Sequence, residues 1–350
     1  MSAVRFRPSI PVLLVHLAAA TACTKDTAAT APPASKATGD APAPGQEGRS
    51  APGDAKVSAD EALRARLAEA LERARADAEK ERARWNDDLV RKTRALLARS
   101  GGETKAVLEA ALASPHRRPG HAARDRYRHP LEVAAFFGLR PDMTVVEVGA
   151  GAGWWTELFA VVLYEEGKLV LPSFAEEDPD PRRAYFGARD ALLLSSAPVL
   201  YERVERFVQP PGETVFGPPG SADMVIVFRM LHNWHRSGTF ETNAKAAYEV
   251  LKPGGILAVI QHRAPAGADP DTWADKGYLP EAYVVEALGK AGFELLARSE
   301  VNANPKDTKD YPEGVWTLPP TLALGEKDRD RYLAIGESDR MTLKLRKKAP

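Results

Sequence analysis

Hydrophobic and polar positions follow two regimes along this chain of 350 residues, and a third stretch shows neither. From Leu63 an apolar stripe runs through Leu67, Leu71, Ala74 and Ala78, at spacings of four, four, three and four, and continues at Trp85 and Leu89. That period predicts an amphipathic helix. Ser58-Ala-Asp-Glu61 is a capping box that opens it, interleaved Glu and Arg supply i,i+4 pairs, and Gly101-Gly102 stops it. A shorter helix is predicted from Lys105 to Ala113, ending at Ser114-Pro115. The long 58–99 helix has two uses: packing on the main domain, or pairing with another chain as an oligomer contact.

From Arg124 onward the pattern changes. Leu131–Phe137 reads as helix, Gly138 to Pro141 as turn, and Thr144–Val148 as a β-branched strand. A helical stretch from Trp155 to Leu163 follows, then a strand over 167–171. The strands Ala222–Phe228, Ile256–Ile260, Phe293–Ala297 and Thr342–Lys347 alternate with helical segments at 244–251 and 280–291. Strands alternating with helices predict an α/β fold with a doubly wound sheet. The organisation expected is an export signal at 1–22, a tether at 23–57, a helical extension at 58–113 and an α/β domain from 114 to 350. The segment 300–340 is an insertion between the last two strands, long for a plain connection and therefore expected to act as a lid or a substrate-side wall.

Residues before the helix have neither period. Arg5 and Arg7, an apolar run from Ile10 to Ala20 and the small residues Ala20-Thr21-Ala22 have the layout of an export signal. Cys23, the only cysteine, follows at once. Small residues before a lone cysteine at this point resemble a bacterial lipobox, apart from Ala20 where Leu is usual. The resemblance implies lipidation of Cys23 and a membrane-anchored protein on the periplasmic side. An ordinary cleaved signal with an incidental cysteine, giving a soluble periplasmic or secreted protein, competes with it, and so does a cytoplasmic protein. From Thr24 to Val57, 24 of 34 residues are Ala, Pro, Gly, Ser or Thr and none is aromatic. Such a stretch cannot bury enough surface to offset its ordering entropy.

Charge narrows the function classes. The 48 basic and 48 acidic side chains cancel, so no bulk positive field is available for nucleic acid. A single cysteine excludes an internal disulfide framework and cysteine-based metal clusters.

The chemistry concentrates after the first strand. Glu147-Val-Gly149-Ala-Gly151-Ala-Gly153-Trp154 is a glycine-rich turn between strand and helix, the nucleotide-binding element of doubly wound sheets. A dinucleotide motif starting at Gly149 would put its third small residue at Trp154, where an indole prevents close helix–strand packing. The pattern E-x-G-x-G-x-G instead resembles motif I of class I S-adenosylmethionine-dependent methyltransferases. Lys252-Pro-Gly-Gly255 before strand five resembles another landmark of that superfamily. Phe228-Arg229-Met-Leu-His232-Asn233-Trp234, Gln261-His262-Arg263-Ala264, Gly314-Val-Trp316 and Gly336-Glu337-Ser338-Asp339-Arg340 resemble a bacterial family of methyltransferases, often exported.

The resemblance implies a Rossmann-like seven-stranded sheet with an antiparallel last strand, S-adenosyl-L-methionine as cofactor, and methyl transfer to a small-molecule acceptor. It implies that Glu147, Gly149, Gly151 and Gly153 meet the amino-acid end of the cofactor, with Trp154, Ser173, Phe228 and Arg229 completing its site. Two acids usual in the superfamily are missing: Pro172-Ser173 ends strand two, and Gln209-Pro210-Pro211 follows strand three. A binding or sensory module that kept the fold without the transfer is the competing function.

Ligands in such sheets lie outside the carboxyl ends of the strands. His232, after strand four, is the candidate base, since a neutral imidazole takes a proton near pH 7. His262 and Arg263, after strand five, are the further catalytic candidates. Arg229 and Arg263 suit a carboxylate or phosphate on the substrate, against internal ion pairs. Asn233, Trp234, Trp316 and Arg340 are the expected acceptor-side residues, the indoles as an aromatic wall or as plain packing. The basic run Arg117, Arg118, Arg124, Arg126 and Arg128 reads as a surface face or as an anion-binding entrance. No metal site is expected, because its histidines lack ligand spacing.

Overall fold

A computed structural model describes residues 52–348, with side chains from Asp60 onward. The export signal, Cys23, the tether up to residue 51 and the Ser58 side chain of the capping box lie outside the described residues. Seven strands form one mixed sheet in the order β3-β2-β1-β4-β5-β7-β6. They are β1 (Thr144–Val148), β2 (Lys168–Ser173), β3 (Glu205–Val208), β4 (Ala222–Phe228), β5 (Leu251–His262), β6 (Phe293–Ser299) and β7 (Arg340–Lys347). The first five run parallel, and β7 lies antiparallel between β5 and β6. This is the doubly wound, seven-stranded, Rossmann-like sheet with an antiparallel last strand that the sequence predicts.

The central strands read as nearly unbroken apolar runs because both faces are covered. Val145, Leu169, Met224, Ile226, Ala258 and Ile260 point to one core, shared with the helices Pro130–Phe137 and Thr156–Val162. Val146, Val170, Val225, Val227, Leu257 and Val259 point to the other, under the helices Phe240–Val250 and Glu281–Lys290. The alternation is the two-residue period of a strand with a core on either side. β5 starts earlier than the apolar pattern predicts. Ala222 pairs with Leu251 and Met224 with Ile256, so Lys252-Pro-Gly-Gly255 is extruded as a bulge within the strand. A proline that cannot donate to the ladder is tolerated there.

The long N-terminal helix is two helices. α1 runs Pro52–Arg84, beginning six residues before Ser58, and α2 runs Asp87–Leu97. Asn86 between them is extended, and its side chain accepts from Leu89 N to cap α2. A strong N-cap residue inside the stripe restarts the helix, which a reading of apolar period alone passes over. The end of α1 lies on the helix Pro181–Ser196, where Arg82 Nε donates to Ser195 O at 3.3 Å. Leu96 and Leu97 of α2, and Val107, Leu108 and Ala111 of α3 (Thr104–Leu112), enter the first core. Among the described residues no helix is long and apolar enough to cross a membrane.

The helix Pro181–Ser196 also shapes the loop after β2. A Cβ on Gly187 would lie 2.3 Å from Phe174 O, a backbone atom that cannot swing aside. Gly187→Ala is expected to lower stability by about 1–3 kcal/mol through overpacking, read as a drop in denaturant midpoint with an unchanged slope. An unchanged midpoint would contradict this close approach.

Candidate functional site

β1 lies between β2 and β4, where the strand order reverses, and ligands of doubly wound sheets bind at that reversal. The glycine loop leaves β1 here. Gly149, Gly151 and Gly153 have φ of 75°, 63° and 80°, the left-handed region that disfavours other residues. Their surroundings differ. A Cβ on Gly149 would meet Met230 Sδ at 2.9 Å and one on Gly153 would meet Leu193 Cδ1 at 2.6 Å. A Cβ on Gly151 would have nothing nearer than 3.9 Å. Two glycines therefore serve close packing, and the middle one faces open space.

A cavity of about 40 Å³ lies under the loop, lined among others by Glu147, Gly149, Arg128, Arg229, Trp155 and Phe228. Glu147 is 4% exposed and its Oε2 has no partner. Burial, opposed by the neighbouring Thr156 hydroxyl and reinforced by the charge of Asp190, pushes its carboxyl up to about 7. A buried carboxylate oxygen without a donor suits an ammonium group, so the chain offers what the amino-acid end of the implied cofactor needs. At that volume the cavity holds only a few water molecules, so a cofactor-sized ligand requires its walls to move apart.

Ser173 ends β2, fully buried, and its hydroxyl donates to Asp190 Oδ2 at 2.7 Å. Burial raises the Asp190 carboxyl to about 6. Asp190 was missed by sequence reasoning, which sought an acid at the strand tip. It comes instead from the helix Pro181–Ser196, 17 positions later, and no local motif marks it. Gln209 is committed to its own turn, with Oε1 accepting from Val215 N.

The residues expected on the acceptor side divide. His232, on the helix Leu231–Arg236, has its ring 5.8 Å from that of His262 and 6.0 Å from that of Trp316. Its Nδ1 lies 3.2 Å from Gln261 Nε2. His262 Nδ1 meets Ser338 Oγ at 2.5 Å, so the insertion brings both Ser338 and Trp316 to the histidine pair. Burial lowers His232 to about 4 and holds His262 well below its usual value. Both rings are neutral at pH 7, but each is a weaker base than the sequence reading assumed.

Trp234 faces away from this group. It packs against Phe216 and Phe240 in the second core, at 6.3 and 6.0 Å between rings, so it builds no acceptor wall. Asn233 is partly exposed beside His232. Arg263 is spent internally: its guanidinium pairs with Asp339 at 3.0 Å, Glu300 at 2.6 Å and Glu281 at 3.5 Å. It anchors the insertion to the end of β5 and is not free for a substrate. Trp154 is buried, donating from Nε1 to His121 O, with Arg128 over its ring at 4.6 Å.

Arg229 and Arg340 belong together. Arg229 follows β4 with a left-handed φ of 61°, uncommon for a long side chain. Arg340 opens β7, opposite His262 in the β5–β7 register. Its Nη1 donates to Glu337 Oε2 at 2.8 Å. The basic run splits in two. Arg117 pairs with buried Glu157 and with Asp125, and Arg118 bonds Ser196, whereas Arg124 and Arg128 reach Glu337. Among the described residues no group of three His, Cys, Asp or Glu could hold a metal ion.

A scan against protein-family models gives no match, and a search of curated proteins gives none either. Solved structures do show likeness. The [4+2]-cyclase SpnF is 19% identical, with 64% of this chain and 82% of its own covered at a TM-score of 0.45. A SAM dependent methyltransferase from Aquifex aeolicus is 18% identical, with 69% and 98% covered at 0.41. A 1,6-didemethyltoxoflavin-N1-methyltransferase from Burkholderia thailandensis is 17% identical, with 69% and 79% covered at 0.36.

Burial of the histidines has a measurable sign. A folded-state value below the unfolded one means that stability from the neutral ring is present above pH 6.5 and is lost as pH falls toward 4. His232 is expected to show no titration of its imidazole resonances between pH 8 and 5.5 in the folded protein. A midpoint near 6.5 by NMR would mean that the ring is solvated and available as an ordinary base.

Proposed function

We propose that the cavity under the glycine loop binds S-adenosyl-L-methionine and that the protein transfers its methyl group to a small-molecule acceptor. The observation that carries this reading is Glu147: a buried carboxylate with an unpartnered oxygen, at the end of β1, where the strand order reverses. The cofactor, when bound, supplies an electrophilic methyl group on a sulfonium.

The chain's own residues then divide the work. Glu147 pairs with the ammonium, and the open side of Gly151 leaves room for the ligand backbone. Asp190, partly exposed and held by the buried Ser173, is the acid available for ribose hydroxyls, in place of an acid on β2. Trp155 and Phe228, 5.1 Å apart between rings, give an apolar wall that excludes water. His232 and Trp316 flank the acceptor side, and the neutral His232 orients the acceptor by hydrogen bonding. Transfer of this kind depends mainly on positioning, which a weakly basic histidine can still provide.

The Glu147 carboxyl must be ionised to pair with an ammonium, and it loses its proton only near pH 7. Affinity for S-adenosylhomocysteine is therefore expected to rise with pH through about 7, approaching tenfold per unit below it. Glu147→Gln should flatten that profile and weaken binding at pH 8 by about tenfold or more. The same variant removes a buried charge, so its stability at pH 8 should be equal or higher. Calorimetric titration across pH, with thermal unfolding alongside, checks both. Unchanged affinity in the folded variant would remove the cofactor assignment.

We infer that the export signal and Cys23 hold this domain at a membrane surface, on the pattern of residues 1–23. Cys23→Ser should release the protein to the soluble exported fraction, since a single thioether-linked lipid group is the anchor. Identical fractionation of both forms would exclude the lipid.

A further inference from the structure

Four arginines from three parts of the chain share one carboxylate. Arg124 and Arg128 come from the segment before the helix Pro130–Phe137, Arg229 follows β4, and Arg340 opens β7. Glu337 Oε1 accepts from Arg124 Nε at 2.7 Å and from Arg128 Nε at 3.4 Å, and its Oε2 accepts from Arg340. Arg229 makes no side-chain hydrogen bond or ion pair among the described residues, yet it feels the charges of Arg124, Arg340 and Glu337.

The cluster is under-satisfied. Arg128 is 1% exposed, and both its Nη1 and Nη2 are buried without a partner. Arg124 Nη2 and Arg340 Nε are orphaned in the same way. Buried polar atoms in folded proteins are otherwise almost all paired. Four guanidinium groups against one carboxylate leave an excess of three positive charges, and burying such charges is costly unless a partner offsets the lost hydration. Arg117 and Arg263 show the contrast, since each is matched by two or more acids. Three of the four arginines, Arg124, Arg128 and Arg229, also line the cavity under the glycine loop.

We propose that Arg124, Arg128, Arg229 and Arg340, gathered around Glu337, bind an oxyanion on the methyl acceptor, a carboxylate or a phosphate group. The acceptor is then an anionic small molecule. Its description as acceptor rests on the methyl-transfer reading above; the anion site itself does not. A carboxylate on the cofactor would offset one charge and leave two. Arg229 and Arg340 also sit on the acceptor side, because Arg229 N donates to Ile260 O and Arg340 pairs with His262 in the strand register. Guanidinium forks match both carboxylate and phosphate geometry.

The test is calorimetric titration of the full chain with inorganic phosphate and with malonate. Chloride is exchanged to hold ionic strength constant, and each titration is run with and without saturating S-adenosylhomocysteine. At least one anion should bind one saturable site with Kd at or below ~1 mM, and affinity should stay within about threefold when S-adenosylhomocysteine is bound. Phosphate against malonate separates the two oxyanions. Arg229→Gln, and independently Arg124→Gln, should weaken binding by about tenfold, while Arg91→Gln on α2 should leave it unchanged. No saturable binding of either anion would overturn the proposal, as would wild-type affinity in both cluster variants. Competitive displacement by S-adenosylhomocysteine would also overturn it, making the cluster a cofactor carboxylate site. Anion binding with no binding of S-adenosylhomocysteine would support the anion site and remove the methyl-transfer reading.

Discussion

Glu337 is the interaction on which this half of the molecule depends. Its carboxylate ties the segment 124–128 to the insertion and to the first residue of β7, and four guanidinium groups hold it well below the usual carboxylate range against its burial. Removing it would leave four buried or partly buried cations together, a larger penalty than the loss of any one hydrogen bond. Position and charge are coupled here. The same side chain that closes the insertion over β5 and β7 also fixes the arginines at the cavity wall.

That concentration of positive charge sets the chemistry of its neighbours. The histidine pair lies within its field, and Arg229 adds to burial in disfavouring imidazolium at both His232 and His262. Glu147, in the same cavity, is influenced by burial, which the Thr156 hydroxyl opposes and Asp190 reinforces, so its carboxyl moves up toward neutrality. The sheet edge thus has two electrical halves. Glu147 and Asp190 offer carboxyl groups suited to a cation, whereas Arg124, Arg128, Arg229 and Arg340 are cationic beside neutral imidazoles.

How much of this is legible in the sequence depends on whether a feature is local. The strands β1 and β4 are, because burial on both faces writes itself as an apolar run, and so is the glycine loop, because left-handed backbone selects glycine. The break at Asn86 is local too, but a stripe of apolar residues hides a capping residue. Asp190 and the arginine cluster are not local. Ser173 meets Asp190 only because a helix folds back over β2, and Arg124 meets Glu337 across more than two hundred residues. Arg263 and Arg229 look alike as residues after strands, yet one is matched by three acids and the other by none of its own. Composition cannot separate them, since the difference lies in which acids the fold delivers.

The insertion explains why the two halves stay distinct. A direct connection from β6 to β7 would leave the ends of β4 and β5 open to water, and the histidines would titrate as solvated rings. Instead Asp307 accepts from Asp339 N at 2.8 Å and Asn304 Nδ2 donates to Glu337 O at 2.7 Å, so the insertion is stitched to its own return. Arg263 then clamps Asp339 and Glu300 from the β5 side. Trp316 and Ser338 are carried to the histidines by that frame and not by the sheet. Dryness at this edge and the weak basicity of His232 are therefore two consequences of one closure. Under the methyl-transfer reading proposed above, chemistry at this edge relies on orientation and charge pairing more than on proton abstraction.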